Sequence, residues 1–213
     1  MATPLAAVIT GDVVGSQKFE KAKYEQLLAQ LNKVLNELAG QYDLRFDIFR
    51  GDEFQVVLQQ PEYAFHVATL IRLNLLAEQV DVRQSIAVGE IDTLRNNVKS
   101  STGDAFVRSG HQLEEMKSEL LRFDSSHDEL AFHLGTTIMV LDAHLSSLTK
   151  TEALVLACYL SHPGESHQSL GDRLGKGRVN TTKLLNASGY VAITAYLNYA
   201  ETLIKQHAGG SNE

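Results

Sequence analysis

The sequence of 213 residues predicts an α+β fold, an antiparallel sheet with helices followed by a smaller all-helical part. Two patterns indicate this. Up to residue 126, short apolar or alternating runs separate amphipathic helical stretches, which is typical of a chain that mixes strands and helices. After residue 126 only helical periodicity remains. No apolar run approaches the roughly 20 residues that span a bilayer.

The elements of the first part follow in the order strand, helix, strand, strand, helix, strand. A short buried strand is expected over residues 5–10. Ser16 can cap the helix that follows, which has leucines at three- and four-residue spacing and runs to Gly40. A hairpin follows at 44–58, Pro61 opens a second helix, and residues 82–91 alternate into another strand. This order is that of the split βαβ, or ferredoxin-like, sheet.

Residues 103–117 read as the entry to a further helix, and residues 120–126 as a weaker strand added to that sheet. We therefore place a sheet domain at 1–126, a connecting helix at 127–148 and a helical domain at 149–213. No repeat or low-complexity linker interrupts the chain.

Charge and cysteine content narrow the class of protein. Residues 1–145 hold 13 Lys and Arg against 21 Asp and Glu, a net −8, whereas residues 146–213 hold 6 against 5, a net +1. An acidic first part does not suit nucleic acid, but a near-neutral second part can hold a local basic face. The single Cys158 cannot form an internal disulfide. The N-terminus lacks the basic region of a signal peptide. We expect a cytoplasmic protein without a membrane segment.

Two adjacent carboxylates, Asp52 and Glu53, stand in the hairpin turn of FDIFRGDEFQVVL. Turn chemistry explains Gly51-Asp52, because Gly tolerates positive φ and Asp can bond its neighbouring backbone. It does not explain Glu53, since Glu is depleted in strands.

A partner for these carboxylates follows the first strand. Asp12 closes that strand, which is central in a sheet of this order, so Asp12 and Asp52 can reach the same end of the sheet. Two carboxylates there suit Mg²⁺, with Glu53 near enough to assist. Gly11, Gly15 and Gly51 let the backbone approach a triphosphate. A Gly-Asp turn and an Asp at a strand end are also common structural devices, and that alternative stays open.

The motifs resemble those of known families. GDVVGS (11–16) resembles the first metal-binding motif of class III nucleotidyl cyclases, and RGDEF (50–54) resembles the hairpin motif of GGDEF diguanylate cyclases. The chain as a whole is similar to the SatD family of bacterial proteins. The resemblance implies a palm-like, cyclase-like domain over about residues 5–125. It implies phosphate or nucleotide contacts from Gly11, Gly15, Ser16, Arg50, Gly51, Gly103 and Asp104, and Mg²⁺ at Asp12, Asp52 and Glu53.

The sequence also departs from these families. Aligning Gly103-Asp104 with the third cyclase motif puts Val107 where cyclases carry an Asn and His111 where they carry an Arg. Those missing groups position and stabilise the reacting phosphates, and Arg50 replaces a glycine. We therefore expect a poor cyclase or none, and no catalytic residue is assigned.

The segment 167–190 has the pattern of a bacterial helix-turn-helix, with Gly175 in the turn. The exposed N-terminal residues of a recognition helix meet base edges or phosphates. The residues suited to DNA contact are Lys176, Arg178, Asn180, Thr182 and Lys183. The alternative is a module that only mediates dimerisation or packs on the sheet domain.

The favoured function is a cytoplasmic bacterial transcription regulator. Its helix-turn-helix would bind DNA, with two copies matching a palindromic site, and its cyclase-like domain would bind a nucleotide or metal or have degenerated to a scaffold. One rival is an Mg²⁺-dependent nucleotidyl transferase or cyclase acting on a nucleoside triphosphate. Another is a purely structural or partner-binding protein with both sites empty.

Overall fold

A computed structural model describes residues 5–49 and 51–209 of the chain. The described strands are β1 Leu5–Val13, β2 Leu44–Phe49, β3 Glu53–Leu58, β4 Val82–Glu90 and β5 Leu121–Ser125. The described α-helices are α1 Lys21–Ala39, α2 Ala64–Leu76, α3 Asp104–Glu115, α4 Asp128–Ser146, α5 Lys150–Ser161, α6 His167–Arg173, α7 Arg178–Ala187 and α8 Tyr190–Gly209.

The strands form one sheet in the order β2-β3-β1-β4-β5. The β2-β3, β3-β1 and β1-β4 pairs are antiparallel, and β5 joins β4 in parallel. The first four strands have the ferredoxin-like order, and β5 is the predicted addition at the edge. The predicted α+β fold class is confirmed.

Helices cover both faces of the sheet because successive strand side chains point to opposite sides. On one face, Ala7 and Ile9 of β1 join α1 and α2 in the main hydrophobic core. On the other face, Val8 of β1 packs with Ala105 and Phe106 at the start of α3. Asp12, near the end of β1, lies on this second face as well, because it is four residues after Val8.

The beginning of the sheet domain differs from the sequence prediction in two details. β1 continues through Gly11 and Asp12 to Val13, because Gly11 allows close packing. A methyl group at Gly11 would lie 2.5 Å from the Phe54 ring and 2.7 Å from the Arg83 carbonyl oxygen. Ser16 does not cap α1. It begins a short 3-10 helix, and α1 starts five residues later.

The helical part shares its core with the sheet. Leu134 of α4, Leu156 of α5 and Leu197 of α8 belong to the same cluster of buried side chains as Ile9. The expected connecting helix, α4, packs against β5. At its other end, His144 Nε2 lies 2.8 Å from the Ser188 carbonyl oxygen in the turn before α8. Within residues 5–49 and 51–209, no helix combines the length and hydropathy needed to cross a bilayer.

Candidate functional site

Three charged residues form a row across the end of the sheet. In the strand registers, Asp12 of β1 faces Glu53 of β3 on one side and Arg83 of β4 on the other. Thr10, two residues earlier on the same face, has its hydroxyl 2.8 Å from that of Ser109 in α3. The row therefore projects from the face that α3 covers.

The hairpin turn brings Asp52 to this row. Gly51 has a φ of 86°, which the tight turn requires, and a side chain there would collide with the Tyr24 hydroxyl of α1. The result is an open cleft of about 450 Å³. Its lining residues are Asp12, Val13, Val14, Gly15, Ser16, Gln17, Lys18, Asp52, Glu53, Arg83 and Lys117.

The cleft gathers part of the predicted metal and nucleotide set. Asp12, Asp52, Glu53, Gly15 and Ser16 all line it. Gly11 and Gly51 do not line the cleft: a methyl group added at Gly11 would meet the Phe54 ring, and one added at Gly51 would meet the Tyr24 hydroxyl. Arg50 lies outside the described residues.

Lys18, Arg83 and Lys117 also line the cleft without having been predicted, and Arg83 contacts Asp12 directly. The Arg83 Nε donates to Asp12 Oδ1 at 2.9 Å, its Nη2 donates to Asp12 Oδ2, and its Nη1 donates to the Met116 carbonyl oxygen at 3.1 Å. The hydrogen bond with Asp12 raises the pKa of the guanidinium above its ordinary value. Arg83 lies on the same face of β4 as Ser85 and Ala87. Only the strand register, which a single sequence does not reveal, places it beside Asp12.

The predicted magnesium site stays a prediction, and the donor set does not fit it. Both Asp12 oxygens accept hydrogen bonds from Arg83, so the guanidinium stands where a divalent ion would share that carboxylate. Within the described part of the chain, no group of three or more His, Cys, Asp or Glu side chains is arranged to hold a metal ion.

Gly103 and Asp104 lie at the opposite end of the sheet. A methyl on Gly89, near the end of β4, would come within 2.6 Å of Asp104 Oδ2, whereas Arg83 stands near the start of that strand. There Arg108 bridges two carboxylates, since its Nε donates to Asp104 at 2.7 Å and its Nη1 donates to Asp124 at 3.0 Å. Gly103 and Asp104 therefore do not share the Asp12 cleft, because the order of motifs along a chain does not specify which sheet end each one reaches.

The two positions that depart from the cyclase pattern face outward. Val107 is 71% exposed, and the His111 side chain is 71% exposed beside Glu115. Neither lines the cleft. The structure thus places no substitute for the missing Asn and Arg at these positions.

The predicted helix-turn-helix segment consists of α6, a four-residue turn and α7. Val155 of α5, Leu170 of α6 and Leu185 of α7 form a small core that holds the three helices together. Gly171 permits the close approach, because a methyl there would lie 2.6 Å from the Lys176 carbonyl oxygen. Gly175 has a φ of 63°, as expected for the turn.

The five predicted DNA contacts differ in exposure. Arg178, Asn180 and Lys183 are exposed on the outer side of α7, and Lys176 is half-buried in the turn. Thr182 is also half-buried, and its hydroxyl lies 2.9 Å from His167 Nδ1. Thr182 is therefore partly engaged inside the segment, since the packing of α6 against α7 turns it toward His167.

A fourth basic residue nearby, Arg173, is already paired. Its Nε and Nη2 donate to the Glu165 carboxylate at 3.0 and 2.6 Å. The hydrogen bond from Arg173 lowers the pKa of Glu165 to about 2. The basic side chains left for a partner are those of the turn and of α7.

Comparisons with known proteins match one family and several solved structures. The SatD family model matches residues 6–158. A structure of a bacterial light-regulated adenylyl cyclase is 14% identical with a TM-score of 0.45, covering 58% of this chain and 77% of that one. A second such structure is 13% identical with a TM-score of 0.45, covering 57% and 43%. A comparison with curated proteins gave no match.

Proposed function

We propose that this chain, which belongs to the SatD family, is a regulatory protein that binds duplex DNA through α7. The observation that carries the proposal is the two-sided character of that helix. Thr181 and Leu185 are fully buried, whereas Arg178, Asn180 and Lys183 are exposed. The buried side holds the helix in place, and the exposed side presents donors suited to phosphates and base edges.

The start of α7 adds a second favourable feature. Gly177 precedes the helix without a side-chain cap, so the first backbone N–H groups are left for solvent or a ligand. N–H groups at a helix start favour phosphate oxygens. Ser166, His167, Gln168 and Arg178 line a shallow depression beside this helix start, which gives a DNA strand a place to lie.

Tight binding requires two copies, because a region with a net charge of +1 attracts DNA weakly. Of the eight large apolar side chains that are exposed in the described residues, five lie on the neighbouring helices α4 and α8. They are Phe132, Met139, Val140, Val191 and Tyr199. Two copies of a chain with a net charge of −7 associate most readily where apolar side chains are exposed, so we assign these side chains of α4 and α8 to a contact with a second copy.

The test is a selection from random duplexes, followed by titration at two salt concentrations. Lys176→Ala and Lys183→Ala should weaken binding to all sequences and lower the salt slope by about one each. Asn180→Ala should blur the sequence preference, because an amide can pair bidentately with adenine. Lys33→Ala, which removes an exposed cation on α1 of the sheet domain, is the matched control and should change nothing.

The dimer is tested by a matched pair of variants, with light scattering and the same DNA titration. Val140→Glu should give a monomer in light scattering and weaken DNA binding, whereas Val107→Glu, equally exposed on α3, should do neither. In a dimer, two α7 helices about 34 Å apart match half-sites one DNA turn apart. No enriched sequence, together with binding no tighter than ~10⁻⁴ M, contradicts DNA recognition by α7.

A phosphate-bearing nucleotide in the cleft is a second candidate function. Its support is that Lys18, Arg83 and Lys117 line the cleft together with Gly15 and Ser16. A thermal-shift panel of nucleotides, with and without Mg²⁺, tests it, since a ligand that binds only the folded state raises its stability. Nucleotidyl transfer or cyclisation receives less support, because Val107 and His111 face outward.

A further inference from the structure

The cleft at the end of β1 holds a cation that belongs to the protein itself. The Arg83 guanidinium is bound on three sides, by the two oxygens of Asp12 and by the Met116 carbonyl oxygen. The side chains of Arg83 and Asp12 are only 31% and 20% exposed. The two groups are thus held together by hydrogen bonds between the neighbouring strands β1 and β4.

The position of this cation, next to Asp12, reduces the repulsion between Asp12 and Glu53. Asp12 and Glu53 face each other across β1 and β3, and like charges directly opposite are destabilising. A cation on the far side of Asp12 offsets that repulsion. Either a divalent ion or a guanidinium can supply the charge, but an ion needs carboxylate oxygens at ~2.1 Å and a bidentate guanidinium already covers those of Asp12.

We propose that Arg83 takes the place of a divalent cation at this cleft. The protein then carries its counter-charge permanently, and Asp12 is unavailable to Mg²⁺ or Mn²⁺ while Arg83 is present. A ligand of the cleft would meet two remaining guanidinium N–H groups rather than a metal. This inference concerns the sheet domain alone and does not depend on DNA binding by α7.

The assignment has a direct consequence for substitution. Removing the guanidinium leaves Asp12 with free oxygens beside Glu53 and in the same cleft as Asp52. One or two carboxylates completed by water are enough for a hard divalent ion. The Arg83→Ser variant should therefore gain a binding site for Mn²⁺ that the natural chain lacks.

The experiment measures Mn²⁺ binding by electron paramagnetic resonance and by the rise in melting temperature. The natural chain and Lys117→Ser, which removes a cation from the same cleft, should show no binding that depends on Asp12. Arg83→Ser should bind Mn²⁺ and be stabilised by it, because the metal binds only the folded state. The double variant Arg83→Ser/Asp12→Asn should lose that binding.

Arg83→Gln provides a second route, because it keeps hydrogen-bond donors while removing the charge, and it should also gain Mn²⁺ binding. The proposal is overturned if the natural chain binds Mn²⁺ and Asp12→Asn abolishes that binding. It is equally overturned if folded Arg83→Ser or Arg83→Gln, checked by circular dichroism, binds no Mn²⁺.

Discussion

Two of the arginines that bind aspartates in the described residues differ in burial: Arg72 lies at the seam between α2 and α4, and Arg83 lies in the cleft. Arg72 of α2 is fully buried, and its Nε and Nη2 donate to Asp81 at 2.8 and 3.1 Å. Its Nη1 donates to Asp142 of α4 at 2.6 Å. Arg83 forms the same bidentate pattern with Asp12, but its side chain is 31% exposed.

The difference between the two sites lies in the free-energy cost of losing an ion-pair partner. Arg72 also donates to the Ser146 hydroxyl at 2.8 Å, so it ties α4 to α2 and to the turn before β4. Breaking that cluster would leave Asp81 and Asp142, whose side chains are 21% and 14% exposed, without a counter-charge and with little water to replace it, which is costly. Around Arg83, water or a ligand can replace a lost partner. Burial therefore makes Arg72 part of the scaffold, whereas at Arg83 solvent lowers the cost of losing a partner.

The variants Arg72→Ala and Arg83→Ala should show the largest difference in stability between the two sites. Arg72→Ala should lower the free energy of unfolding by about 3 kcal/mol, because Asp81 and Asp142 lose a buried counter-charge. Arg83→Ala should lower it by at most about 1 kcal/mol, as partly exposed ion pairs contribute little. Urea denaturation measures both, and equal losses would contradict the contrast.

The aspartate partners provide a second, smaller comparison. Asp142 accepts from Arg72 and also from the Leu120 backbone N–H at 2.9 Å. Asp142→Asn should therefore cost about 2 kcal/mol, the range for hydrogen bonds to charged groups. Asp12→Asn should cost under about 1 kcal/mol, since solvent reaches that pair. The same denaturation series checks it, and a larger loss in Asp12→Asn would place the cleft pair in the scaffold.

A pH titration tests how burial changes the ionisation of a side chain in the interior. Burial raises the pKa of Tyr196 on α8 to about 12, while its hydroxyl lies 3.3 Å from that of Thr137 on α4. The unfolded chain ionises near its ordinary value of about 10, before the folded one, so stability falls between pH 10 and 12. Stability below pH 10 is unaffected by this group.

Tyr196→Phe should remove that part of the alkaline loss. The measurement is the free energy of unfolding at several pH values from 9 to about 12, with Tyr199→Phe as the control, since Tyr199 lies on the same helix and is 44% exposed. The assignment fails if Tyr196→Phe and the natural chain lose stability alike across this range.

Local patterns in the sequence predict most of the fold. The strand and helix order follows from side-chain periodicity, and Thr149 with Glu152 predicts a capping box that the start of α5 confirms. The hairpin also follows, since Gly51 in its turn has the positive φ that glycine tolerates. The gathering of Asp12 and Asp52 in one cleft follows in turn from the strand order.

Other features depend on register and packing, which connect residues far apart in the chain. One such feature is the location of Gly103 and Asp104 at the end of the sheet opposite the cleft. Another is the contact between the Thr182 hydroxyl and His167. The core shared by the sheet and the helical part is another, because the helical periodicity of Leu134 and Leu197 does not specify which surface they pack against.

By itself, the sequence determined the α+β class, the hairpin and the residues able to carry charge, because propensity and periodicity act over a few neighbouring positions. Only the tertiary structure decided that Arg83 stands opposite Asp12, since a shift of one residue in the β1-β4 register would turn it to the other face. Burial, which no local pattern specifies, then separated Arg72 as scaffold from Arg83 in an open cleft.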